Sequence, residues 1–263
     1  MKVVFIDWGI IMFRSIFSWE KRRTIPATYT ATTVLIGNLK KVGIDPEDIV
    51  IIAADSPKGS WRKELDVNYK ANRKESREKH KINWSEQFAD FWNLLEQIEM
   101  STPFHTLVGE KLEADDIISV GCRKFPDNDC VVVSSDADYE MLFAFPNVKL
   151  FSPVSKRYKE YTDPYKVLAK KIQREASDNL VTPILNEQDF KIRNSIVNLI
   201  QLPDRIEKQA KGLLDCLPEK DWIANRLPFP SLRDRWDTIY EKDKMVNPDK
   251  KRKKKHKKKE VTK

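Results

Sequence analysis

Short apolar runs separated by longer stretches of helical periodicity organise the first 135 residues. Val3 to Ile6, Ile49 to Ala54 and Cys130 to Ser135, the last built on Val131-Val132-Val133, are continuous rather than alternating, the pattern of strands buried on both faces. Between them, Ala31 to Val42 sets Val34, Leu35, Leu39 and Val42 on one helical face. Ser85 to Met100 does the same with Phe88, Phe91, Trp92, Leu95 and Ile98. A third helix is expected from about Glu113 to Lys124. This alternation predicts an α/β fold, a parallel sheet flanked by helices. From about Lys166 the periodicity is helical, through Ile172 and then Ile192, Ile196, Val197 and Leu199. Residues 1–165 therefore read as the core and 166–248 as a helical annex.

Composition narrows the function classes. The chain has 263 residues, 40% of them hydrophobic, enough for one substantial core and a smaller annex. No apolar run approaches the roughly 18 residues of a membrane span, and Met1-Lys2 leads straight into the first apolar run without signal-peptide architecture. A cytoplasmic protein without membrane contact is expected. Cys122, Cys130 and Cys216 form no C-x-x-C pair and only three histidines exist, which argues against a structural zinc site. The seven glycines build no phosphate-binding loop, which disfavours a nucleotide-driven motor. The net charge of +8 is unevenly spread: Lys250 to Lys263 carries +9 and the body −1. Residues 249–263 read as a disordered basic tail that attracts nucleic acid, with a nuclear address, a solubility device or a partner-binding arm as alternatives.

Candidate chemistry lies in the acids. Asp7, Asp55 and Asp136 each follow a predicted strand, and ligands of open α/β sheets bind at the carboxyl ends of the strands. One such Asp is ordinarily a helix cap or turn residue; three in succession point to a shared crevice. Glu113, Asp115 and Asp116 at a helix start, Asp138, and Glu175 with Asp178 bring the total to nine carboxylates. Acids in such number, without matching His or Cys, favour hard divalent ions such as Mg²⁺, with Mn²⁺ as a substitute. Two such ions about 4 Å apart are the usual machinery of phosphodiester hydrolysis.

The segment from Gly59 to Lys81 holds eight Lys/Arg against four acids. Alone it reads as a solvated charged helix; beside the acids it reads as a nucleic-acid contact through Arg62, Lys63, Lys70, Lys74 and Arg77. Lys70 and Arg73, three apart, are expected to share one helix face toward a phosphate. Tyr69 has two readings, stacking on a base or packing on the sheet.

These residues resemble, in order over roughly residues 1 to 200, the motifs of the flap-endonuclease superfamily of 5′ nucleases, whose core is PIN-like. The likeness is greatest to the bacteriophage ribonuclease H branch. Phe-Ile-Asp7, Ala-Ala-Asp55-Ser-Pro-Lys-Gly-Ser-Trp-Arg62, Tyr69-Lys70-Ala-Asn-Arg73, Glu113-Ala-Asp-Asp116, Ser134-Ser-Asp136-Ala-Asp138-Tyr and Ser177-Asp178-Asn179 carry it. The resemblance implies a basic helical arch at about 59–84 and a helix-hairpin-helix-like annex. It assigns Asp7, Asp55, Glu113, Asp115, Asp136, Asp138 and Asp178 to two metal ions, Asp116 and Glu175 to direct or water-mediated roles, Lys70 and Arg73 to the scissile phosphate, and Asn179 to nucleic acid. The implied activity is 5′ to 3′ exonuclease and flap endonuclease cleavage of DNA and RNA–DNA, as in primer removal. Replication partners such as a single-stranded DNA-binding protein or a sliding clamp, a monomeric state and, for a phage protein, the host cytoplasm go with it.

Two departures stand out: Arg174-Glu175 replaces a common Gly-Asp, and the hairpin region has no glycine, none lying between Gly121 and Gly212. Family hairpins use glycine for close backbone approach to duplex and sometimes to help hold a potassium ion. A PIN-type single-strand ribonuclease and a catalytically impaired nucleic-acid scaffold are the competing readings.

Overall fold

The continuous apolar runs become the centre of a six-stranded sheet in a computed structural model that describes residues 1–241. The strands are β1 (Lys2–Asp7), β2 (Ile49–Ala53), β3 (His105–Leu107), β4 (Asp129–Val133), β5 (Val148–Ser152) and β6 (Arg157–Tyr158), in the order β3-β2-β1-β4-β5-β6. All neighbours are parallel except β5 and β6. In the central registers Asp7 pairs with Ala53, and Ile6 with Val133. The carboxyl ends of β1, β2 and β4 therefore open side by side, where the strand order reverses.

The helices follow from the same burial pattern. On one face α1 (Trp8–Arg22), α2 (Ala27–Val42) and, beyond the short α3 (Asn72–Glu78), α4 (Trp84–Ser101) cover Val4, Ile6, Ile52 and Val133. On the other, α5 (Ala114–Lys124) covers Val3, Phe5, Ile51 and Val132. A Cβ on Gly121 would come within 2.4 Å of the Phe5 ring, so glycine there lets α5 settle close on β1. The annex contributes α6 (Pro164–Gln173), α7 (Glu187–Val197) and α8 (Asp204–Asp215), the last packing through Ile206, Ala210 and Leu214 into the α5 side of the core. Then α9 (Arg233–Asp237) places Trp236, with Leu227 and Leu232, in the core on the α1 side, which closes the main body rather than the annex.

Several expectations need correction. The sheet has six strands, three more than the apolar runs mark. β3 and β6 are only three and two residues long, while β5 is interrupted by exposed Lys149 between buried Val148 and Leu150. α2 starts at Ala27, just after Pro26, and α7 spans Glu187–Val197, with the Asn186 side chain accepting from Asp189 N and Leu199 beyond its end. The arch is helical only over Asn72–Glu78, with a short 3₁₀ turn at Trp61–Glu64. The basic tail at 249–263 and the last annex residues, 242–248, lie outside the described residues. Among the described residues no helix is long and apolar enough to cross a membrane.

Candidate active site

Strand ends and one helix start deliver the acids to a common cleft of about 320 Å³, lined by Asp7, Asp55, Glu113, Asp115, Asp136 and Asp138 together with Lys70 and Arg73. Asp7 caps α1, accepting from Ile10 N at 3.3 Å, and also accepts from Ser134 Oγ at 2.9 Å. Asp55 accepts from Ala114 N at 2.9 Å, which ties the end of β2 to the start of α5. Asp136 accepts from Asp138 N at 3.0 Å. Each strand-end acid thus does the bland local job expected of an Asp and still faces the cleft. Burial, reinforced by Asp55, pushes the Asp7 carboxyl up to about 7. Burial and the neighbouring Asp136 push Asp138 up to about 6.

Behind the cleft lies a buried ion cluster. Arg62, 1% exposed, pairs with Glu113 at 3.0 Å, Asp115 at 3.2 Å and Asp116 at 2.8 Å, and its Nε donates to Ile196 O at 2.7 Å. Its guanidinium lies 4.8 Å from the Trp61 ring centroid. Tyr69, 2% exposed, donates its hydroxyl to Glu113 Oε2 at 2.9 Å, where Lys70 Nζ also binds at 2.8 Å. Burial alone would raise Glu113, but Arg62 and Lys70 bring it down to about 2. Burial, with repulsion from Asp116 and Glu113, holds Asp115 well above the usual carboxylate range despite Arg62.

This geometry corrects three expectations. Arg62 and Tyr69 are interior groups that orient Glu113 and cannot reach a nucleic acid as they stand. Asp116 is fully buried, accepting from Trp61 Nε1 at 2.9 Å and from Glu113 N at 2.8 Å, and does not line the cleft. Lys70 is not on a helix face with Arg73: it sits at φ 56, before α3 begins, with its N–H on Asp178 O. Both cations nevertheless line the cleft, because Tyr69 is anchored from below and Arg73 reaches Asp178 Oδ1 at 3.0 Å.

The annex supplies the far wall. Glu175 and Leu180 form a small antiparallel bridge, and Asn179, at φ 61, takes the left-handed position inside it. Asn is among the few side chains at ease there, so the hairpin turns without glycine. Asn179 Nδ2 donates to Asn68 O at 3.0 Å, joining hairpin to arch. The buried Arg193 donates to Leu180 O at 2.9 Å and to Thr182 O at 3.1 Å, so these two loop carbonyls are met by a guanidinium. Asp178 is buried against Arg73, and Glu175 is held by Lys171; neither lines the cleft itself.

Of the other basic residues, Lys63 and Lys74 are exposed at the rim of a larger cavity of about 990 Å³ that continues under the arch. Arg77 stands over the rings of Phe13, Trp84 and Phe88 at 5.1–5.7 Å. Phe13 and Phe17 on α1 with Trp84 and Phe88 on α4 form an aromatic wall along this passage, which sequence reasoning missed. Its signal was the four-residue spacing of Phe13 to Phe17 and of Trp84 to Phe88. Trp8 and Trp61 are packing residues, each 2% exposed. Lys171 was also missed.

Comparison with known proteins agrees with this architecture. The chain is 28% identical over 193 residues to ribonuclease H of Enterobacteria phage T4, an alignment covering 67% of this chain and 62% of that protein. The chain thus spans less than two thirds of this relative. Among solved structures, the fold is similar to a phage T5 protein co-crystallised with metal ions, at 18% identity and a TM-score of 0.56, covering 83% of this chain and all of that one. It is also similar to the phage T5 flap endonuclease in a pseudo-enzyme-product complex with DNA and metal ions, at 17% identity and a TM-score of 0.59, covering 82% and 98%. Residues 2–172 match the family described as 5′-3′ exonuclease, N-terminal resolvase-like domain, and the chain belongs to that family.

Proposed function

We propose that the chain is a metal-dependent 5′ nuclease that hydrolyses phosphodiesters at or near the 5′ ends of DNA and RNA–DNA duplexes or flaps, in primer and flap removal. The observation that carries this is the convergence of Asp7, Asp55 and Asp136 from three adjacent parallel strands on one cleft bounded by Lys70 and Arg73. The donor set is carboxylate oxygen, which suits Mg²⁺ or Mn²⁺. Among the described residues no three such groups close on one ion as they stand, and the protein's own Arg62, Lys70 and Lys171 hold several of the acids. On this reading Asp7, Asp55, Glu113, Asp115, Asp136, Asp138 and Asp178 would hold the ions, with Asp116 and Glu175 contributing directly or through water. Bound ions of this kind supply an activated water and neutralise the charge that develops on the phosphate.

The chain's own residues do the rest. Lys70 and Arg73 place two cations on the cleft toward a phosphate oxygen. Arg62 and Tyr69 fix Glu113, and the Phe13–Trp84 wall offers flat apolar surface to unpaired bases. We extend this to a monomer acting in the cytoplasm, that of the host if the gene is viral, beside a single-stranded DNA-binding protein or a sliding clamp. The test is cleavage of end-labelled 5′-flap, nicked and single-stranded oligonucleotides with Mg²⁺ or with chelator, against an Asp136→Asn control. Metal-dependent products at the 5′ junction, absent in the control, support the nuclease. Binding without cutting under both Mg²⁺ and Mn²⁺ supports the scaffold, and indifference to a duplexed 5′ end supports the single-strand ribonuclease.

A further inference from the structure

Lys171 lies near the end of α6 with its side chain 15% exposed. Its ammonium is shared between Asp138 Oδ1 on one side and Glu175 Oε2 on the other. The second Glu175 oxygen accepts from both the backbone N–H and the hydroxyl of Ser177. Glu175 is therefore fully engaged without any ion, which explains why it turns away from the cleft while Asp138 still lines it. The arrangement depends on the chain's own sequence. α6 ends at Gln173, Arg174 is extended at φ −162, and the longer Glu side chain reaches back one turn to Lys171. Lys170, its neighbour, is exposed and has no carboxylate partner among the described residues.

We propose that Lys171 is a built-in counter-cation for the Asp138–Glu175 pair, which a divalent ion must displace, so that the ion on this side binds more weakly than the ion beside Asp7. The inference rests on the metal-dependent reading above. Electrostatics sets its direction. With Lys171 in place the two carboxylates carry a net −1, and an arriving divalent ion must separate an existing ion pair while a tethered cation stays nearby. With a neutral side chain the pair carries −2 and is open to the ion. Lys171 thus acts as a positioning and occupancy-setting residue. It keeps Asp138 and Glu175 together before metal arrives and makes loading of the second ion depend on its concentration.

The test is Mn²⁺ binding to the full chain, followed by electron paramagnetic resonance of the free ion, for wild type, Lys171→Gln and the surface control Lys170→Gln. Expected is one stronger and one weaker site in wild type, the weaker tightened at least tenfold by Lys171→Gln, with the stronger site within twofold and Lys170→Gln unchanged. A second readout needs no variant: acylation of wild-type Lys171, followed by mass spectrometry, rises when Mn²⁺ is added because the amine is released. Equal or weaker binding of the second ion in Lys171→Gln, or acylation unchanged at saturating Mn²⁺, overturns the proposal while leaving the nuclease intact. A wild type that binds no Mn²⁺ at millimolar concentration overturns the metal-dependent reading itself.

Discussion

Replacing Arg62 by Met tests whether this residue is an internal strut or a nucleic-acid contact. The guanidinium is 1% exposed and faces three carboxylates at 2.8–3.2 Å, so its loss leaves Glu113, Asp115 and Asp116 buried without their main counter-charge. Removing one partner of a buried ion cluster costs about 3–5 kcal/mol. That is a large part of the roughly 5–15 kcal/mol that holds a domain folded. With a urea m-value of about 3 kcal/mol/M, the midpoint should fall by about 1–2 M. The deficit should shrink between pH 7.5 and pH 4.5, because the stranded carboxylates take up protons. Adding Asp116→Asn should restore part of the loss by deleting one stranded charge. Urea unfolding followed by circular dichroism reads all of these. A loss below about 1 kcal/mol, together with weakened nucleic-acid binding, would refute the strut and return Arg62 to the surface role that its sequence setting suggested.

Four further outcomes are expected. Arg73→Ala, at a side chain partly open to solvent, should lower kcat on a 5′-flap substrate about 10²-fold, with a smaller change in KM; a purely KM effect in steady-state assays would contradict its place at the phosphate. In chelator, the raised Asp7 carboxyl adds stability that is complete below its unfolded value near 3.8 and lost as pH rises through about 7. The metal-free protein should therefore melt lower at pH 8 than at pH 5.5, by an amount equivalent to about 2 kcal/mol from Asp7, with Asp138, pushed up to about 6, adding in the same direction; Asp7→Asn should remove only the Asp7 share, and Glu113, titrating near 2, is silent in this window. Asn179→Ala and Asn179→Gly both lose the bond to Asn68 O, but Asn179→Ala should be the less stable of the two by about 1 kcal/mol at this φ of 61, in the same unfolding assay. Deleting residues 249–263 should raise the apparent KM and flatten its salt dependence more than it changes kcat, measured from 50 to 200 mM salt.

What the sequence revealed and what it hid differ by the range of the physics involved. Asp7, Asp55 and Asp136 were legible because a buried strand leaves a continuous apolar run, and the residue at its end is fixed by chain order alone. Arg62 was misread, and Tyr69 left undecided between stacking and packing, because their neighbours in the chain are polar and basic, while the groups they meet, Glu113 to Asp116, come some 50 residues later. The helical phase expected of Lys70 and Arg73 failed for a related reason: a tether from Tyr69 to Glu113 overrides local periodicity and forces a left-handed residue. β3 and β6 are too short to hold a pattern, being strands only by virtue of the edge they join. The hairpin does lack glycine, and it turns without one because Asn179 supplies the left-handed residue and Arg193 meets the loop carbonyls, a substitution that local sequence does not announce.

The distribution of the cleft acids along the chain has a consequence for biosynthesis. Asp7 emerges well before Asp136, and neither meets the other until β4 has slotted beside β1. Glu175 and Asp178 arrive later still. A nascent or prematurely terminated chain lacking β4 thus cannot assemble the set. On the nuclease reading, topology withholds cleavage from any fragment that stops before β4, and the site exists only once that strand has paired.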